Sequence, residues 1–162
     1  MNTTVGQQRQ KGFSFVEAIF TIAIIGIMSS LVVAAISNAS RDAHRVMARQ
    51  QQVSVQSALT AWVMAQGRVG STSQVRSLES VRSTYNSLPS SLARFNLLVP
   101  NPTSPDPTLR AGFIDQTTAD HFLDYTTNAN QLLTAALSNA QQYLTLPDWQ
   151  SGDFPRVNLA NQ

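Results

Sequence analysis

Few side chains in this 162-residue sequence are placed to do chemistry, and the most conspicuous of them is an acid in the wrong surroundings. Glu17 is the only charge in the run FSFVEAIFTIAIIGIMSSLVVAAI, and from Ala18 to Ile36 only Thr21, Ser29 and Ser30 interrupt the apolar residues. A carboxylate within an apolar span costs on the order of 2.5–3.5 kcal/mol at the centre of a membrane and less near its edge, so Glu17 needs a cationic partner. A chain cut after Gly12 supplies one. Phe13 would then carry a free amine four residues before Glu17, on the same helix face, and either its own amine or that of a neighbouring subunit could neutralise the acid.

The other candidates are weaker. His44 and His121 lie in unrelated segments and read as surface residues. Asp115, Asp120 and Asp124 read as helix-start and solvated charges, with Asp115 at a helix N-terminus. Asp148 and Asp153, in the final turn, are weak calcium candidates, since calcium takes several carboxylate and carbonyl oxygens; the ordinary reading of all five is solvated carboxylates. The sequence has no cysteine, which excludes a disulfide framework, a thiolate zinc site and a cysteine nucleophile together. It also lacks G-x-S-x-G, H-E-x-x-H, a P-loop and a dinucleotide fingerprint, so no enzymatic activity and no cofactor are expected.

The apolar run must be a helix. Ala18 to Ile36 spans about 28 Å at helical rise, close to a hydrocarbon core of ~30 Å. Three readings compete for such a segment. A secretory signal would have a shorter apolar region followed by a small-residue cleavage site, which Ala39 and Ser40 could only mimic. A plain uncleaved anchor for an extracytoplasmic binding module leaves Glu17 without compensation. A segment cut at Gly12 accounts for both.

The run Lys11-Gly12-Phe13-Ser14-Phe15-Val16-Glu17, followed by about twenty apolar residues, resembles the cleavage and methylation motif of type IV pilins and type II secretion pseudopilins. The resemblance spans roughly residues 9–66. It implies cleavage after Gly12 by a prepilin peptidase, N-methylation of Phe13, and a role for Glu17 in assembly with other pilin or pseudopilin subunits. Many major pilins carry a proline within this helix, whereas here only Gly26, with Ser29 and Ser30 after it, weakens the run; that fits pseudopilins and minor pilins at least as well. Arg9 and Lys11 on one side and Arg41, Arg45 and Arg49 on the other leave orientation undecided by charge. The resemblance implies a single-pass protein of the bacterial inner membrane, its leader cytoplasmic and its C-terminal domain extracytoplasmic, assembled into a periplasmic or surface filament.

Charge supports no nucleic-acid partner. The basic isoelectric point depends on Arg9 and Lys11, which leave with the leader. Residues 13–76 carry five arginines against Glu17 and Asp42, and residues 77–162 carry four arginines against seven acids. The chain beyond Gly12 is therefore neutral overall, basic in its first part and mildly acidic in its last.

Periodicity predicts one helix from about Phe13 to Gln66, roughly 80 Å if unbroken, with Ala39, Ala43, Val46, Met47, Val53, Leu59, Trp62 and Val63 in its apolar pattern. Gly67 offers a cap, and Leu59, Trp62 and Val63 form the face on which the small domain docks. Arg41, Arg45 and Arg49 form a basic stripe, read as a solvated face or as contacts to lipid phosphates. A flexible join over 67–74 precedes a helix through Val75, Leu78, Val81, Tyr85 and Leu88. Phe95 to Val99 is either a short strand or the close of a helical turn, before Pro100, Pro102, Pro105 and Pro107 enforce a loop. Thr117 or Thr118 caps a helix through Phe122, Leu123 and Tyr125, and a further helical segment contains Leu132, Leu133, Ala136, Leu137 and Ala140. The tail reads as two short strands joined by a turn.

The expected protein is mainly α: a long N-terminal helix, membrane-spanning in its first half, with a small α-rich α+β C-terminal domain closing on a short β-hairpin. Its segments are a cleaved leader (1–12), a transmembrane and filament-core helix (13–36), a periplasmic continuation (37–66) and an exported domain (67–162). The expected function is that of a structural subunit of a type II secretion or type IV pilus-like filament. The alternative is a membrane-anchored binding module with an uncleaved N-terminus.

Overall fold

The computed structural model describes residues 14–66, 76–104 and 110–162. The chain divides between Ser40 and Arg41 into two compact units. Helix α1 runs from Phe15 to Gln66 without interruption, as expected of a stretch with no proline and a single glycine, Gly26. Its first bond runs from the Ala18 N–H to the Ser14 carbonyl, 3.1 Å. Hydroxyls in the apolar part bond back to the helix itself, Thr21 Oγ1 to the Glu17 carbonyl and Ser30 Oγ to the Ile27 carbonyl, each at 2.7 Å. They therefore need no water, a condition for polar groups in lipid.

In the first unit the helix is long and apolar enough to cross a membrane, and its side chains lie open: Phe15, Phe20, Ile22 and Leu31 are each about two-thirds or more exposed. The second unit behaves differently. There Ala48, Val55, Ala58, Leu59, Trp62, Val63 and Gln66 are buried, and their separations of three, four and seven residues place them on one face of α1. Val46, Met47 and Val53, which share the apolar pattern of the sequence, are exposed instead, because they project from other faces of the helix.

The domain wraps that buried face with short elements: α2 (Leu78–Asn86), α3 (Ser91–Phe95), α4 (Gln116–Tyr125), α5 (Ala135–Asn139), β1 (Gln142–Thr145) and β2 (Asn158–Asn161). Their lengths are limited by polar caps. Ser77, Ser90, Asp115 and Thr134 each accept the backbone N–H three residues on, at 2.9–3.2 Å. The cap of α4 is thus Asp115, not Thr117 or Thr118: the carboxylate takes both the Thr118 N–H and its hydroxyl.

Two further expectations are corrected by pairing that local patterns do not disclose. Leu132 and Leu133 are not helical; Leu132 pairs with Leu144 through two backbone bonds of 2.9 and 3.0 Å, and Thr134 starts α5 only after that bridge. Of the two readings of Phe95 to Val99, the close of a helical turn is the one found. β1 and β2 do pair antiparallel, Gln142 opposite Asn161 and Thr145 opposite Asn158, but residues 146–157 form a long connection and not a tight turn. Gly112 allows another close approach: it sits at φ +71°, and a Cβ there would stand 2.6 Å from the Pro100 nitrogen. Val75, the Gly67 cap, the join over 67–74 and Pro105 and Pro107 lie outside the described residues.

The core is small and centres on aromatic contacts. Trp62 meets Tyr85 at 6.2 Å between ring centroids, Tyr85 meets Trp149 edge-on at 6.3 Å, and Phe95 meets Phe122 at 5.0 Å. The Arg94 guanidinium, 5.0 Å over the Tyr85 ring, bonds the Leu146 and Leu88 carbonyls at 2.7 and 3.0 Å and pairs with Asp148. It ties the long connection to α3. Two glutamines of α1 do the same for the tail: Gln52 Nε2 donates to the Val157 carbonyl (2.8 Å), Gln56 Nε2 to the Pro155 carbonyl (2.9 Å), and Gln56 Oε1 accepts the Val157 N–H (2.7 Å).

Burial pushes the Tyr85 hydroxyl up to about 12, with Arg94 opposing the shift and Asp148 adding to it. Because the folded value lies above the ordinary one, the neutral phenol's contribution is intact below about pH 10 and is lost as pH rises toward 12. We expect unfolding free energy to fall by about 2–3 kcal/mol over that range on this account. Tyr85→Phe should remove that increment of alkaline sensitivity, as read by chemical unfolding at pH 9 and pH 12. An identical decline in the variant would show that Tyr85 does not cause it.

Candidate functional site

Glu17 lies in the first turn of α1, exposed, on a helix whose neighbouring surface is almost wholly apolar. A first-turn acid is favoured there by the helix macrodipole, and its carboxylate projects from an unpartnered apolar surface. Gly12 and Phe13, the residues on which processing would act, lie outside the described residues. Among the described residues no cluster of three His, Asp or Glu side chains forms around Glu17. The arrangement is an exposed apolar helix carrying one acid.

The secondary candidates are distributed as follows. Asp148 and Asp153 line one cleft together with Gln150, Arg156 and Asn158, but each carboxylate has a cationic partner: Asp148 pairs with Arg94, and Asp153 with Arg156 at 2.6 Å. Among the described residues no three His, Asp or Glu side chains gather as a metal donor set. Asp115 is held below the usual carboxylate range by the Thr118 backbone N–H and then by the Thr118 hydroxyl. Asp120 accepts from Gln116 Nε2 at 2.7 Å, and Asp120 and Asp124 are both exposed on α4.

His121 is exposed and lines a cleft with Met47, Gln50, Gln51, Ser54 and Phe122. His44 is half-buried, with Nδ1 enclosed and unbonded, which corrects its reading as a surface residue: it stands one turn before the fully buried Ala48. His44 is not among the residues that line the His121 cleft. Of the basic stripe, Arg45 and Arg49 line a cleft with residues 140–142 and the end of β2.

Sequence reasoning missed Arg94, Gln52 and Gln56 as structural anchors. Arg94, Gln52 and Gln56 are each polar with an apolar residue three positions on, Leu97, Val55 and Leu59 respectively. That was the available signal, because a polar residue on a buried face must find a partner.

Compared with known proteins, residues 7–33 match the family model of the prokaryotic N-terminal methylation motif. No curated protein and no solved structure matches the chain. The matched segment contains Gly12, Phe13 and Glu17 and reaches well into the apolar part of α1. The chain therefore carries, in residues 7–33, the signature of the prepilin-like proteins of the type IV pilin and pseudopilin class.

Proposed function

We propose that the protein is a pseudopilin or minor pilin, a structural subunit of a type II secretion or type IV pilus-like filament. In this reading a prepilin peptidase cuts after Gly12, Phe13 becomes the N-methylated first residue, and the apolar part of α1 holds the subunit in the bacterial inner membrane before assembly. The domain that follows is extracytoplasmic, and residues 13–66 join the subunit to others of its kind. The observation that carries the reading is the conjunction of the methylation motif with an apolar helix exposed along its whole first part. Such a surface requires lipid or other helices around it. Glu17 gains a partner when the Phe13 amine of an adjacent subunit comes beside it.

Processing gives a direct test. Gly12→Val should block maturation, because the peptidase must fit a residue without a side chain at that position. The variant should accumulate as a precursor retaining residues 1–12, resolved from the mature form by intact mass. Normal cleavage of the variant would show that Gly12 does not define the cut.

A further inference from the structure

Charge is unevenly placed on the unit formed by residues 41–162. Arg45 and Arg49, one turn apart on α1, line a cleft of about 510 Å³ closed by residues 140–142, Asn161 and Gln162. Neither arginine is well matched within the chain. Arg45 stands 3.8 Å from Asp42 with both side chains largely exposed, a weak pair. Among the described residues no carboxylate lies within ion-pair range of Arg49. One wall of the cleft is fixed in an uncommon conformation: Gln141 has φ 55°, and its carbonyl is held by the Gln162 N–H at 2.9 Å.

The complementary charge is on α4. Asp120 and Asp124 stand at i and i+4, both exposed, on a helix with no lysine or arginine. Within one copy the two patches are kept apart. Residues of α4 share a cleft with Met47, Gln50, Gln51 and Ser54 of α1, and at 100° per residue Met47 lies about 200° round the helix from Arg45, as does Gln51 from Arg49. The acids and the arginines therefore flank α1 on opposite sides.

We propose that the Arg45–Arg49 cleft receives Asp120 and Asp124 of a second copy of this chain. Guanidinium–carboxylate pairs are directional and set register between subunits. Because the two patches are different surfaces of the same unit, the contact is heterologous, and repeating it generates an open polymer rather than a closed dimer. The inference rests on the filament reading above and specifies one of its lateral contacts.

The absence of cysteine makes the contact testable by site-specific cross-linking of the full chain in the membranes of cells that assemble it. Gln162→Cys reports on the cleft, and Thr117→Cys, one turn before Asp120, reports on the acidic face. With both cysteines in one chain, a short bismaleimide should produce a ladder of dimers, trimers and higher species, whereas either cysteine alone should stop at dimers. Adding Arg49→Glu or Asp124→Arg should reduce the ladder at least five-fold, and combining them should restore it to within two-fold. A ladder indifferent to the charge reversals, or a double reversal as poor as the single ones, overturns the contact. So does a cleaved chain that pellets in filaments without a ladder, which leaves the filament reading standing. A chain that is neither cleaved nor found in filaments removes that reading and this contact together.

Discussion

Replacing Trp62 by alanine is expected to cost about 3–5 kcal/mol of folding free energy, the range for deleting a large buried aromatic ring. The indole is 1% exposed, meets Tyr85, and sits on the α1 face that the short elements enclose. With so small a core there is little else to collapse into the cavity. Trp62→Phe should cost much less: the indole N–H is buried without a partner, so its removal also removes an unsatisfied donor. Denaturant unfolding of the mature chain in detergent, followed by near-ultraviolet circular dichroism, measures both. An unchanged midpoint for Trp62→Ala would mean that α1 does not complete the core.

The importance of Trp62 was readable from the residue pattern, and so was α1 as a whole. A stretch of this length without proline, apolar and then regularly alternating, admits little but helix. The terminal hairpin was equally legible as an element, since its strands have local signatures. What the sequence concealed is every feature that depends on a distant partner. Leu132 and Leu133 look helical beside Ala136 and Leu137, yet Leu144 claims the backbone of Leu132. Gln52 and Gln56 look like solvated helix positions until the tail comes back along α1 to use their amides. Arg94 looks like a surface charge, and its three oxygen partners come from residues up to 54 positions away. At the N-terminus the situation is reversed. The methylation motif is legible because its meaning lies in contiguous spacing, and in the proposed reading its partners are a peptidase and other subunits, to which a fold of one chain adds little.

The second large effect is expected at Glu17. Ionised and alone it disfavours the apolar helix; in the proposed filament the Phe13 amine of a neighbouring subunit compensates it. Glu17→Leu should enter the membrane at least as well as the parent and should still be cut after Gly12. It should fail to enter filaments efficiently, because the neighbour's amine is then buried without its partner, a loss that can reach ~3–5 kcal/mol. The quantity to compare is the fraction recovered in sheared or cross-linked filaments relative to the membrane pool. Wild-type incorporation would remove the assembly role assigned to the carboxylate.

Both assembly arguments presuppose a new N-terminus at Phe13, so the mass of the N-terminal peptide of the native, membrane-extracted protein bears on the account most directly. We expect a peptide that begins at Phe13 and carries one added methyl group on its amine. A native N-terminus at Met1 or Asn2, or one created by cleavage near Ala39 and Ser40, would contradict it.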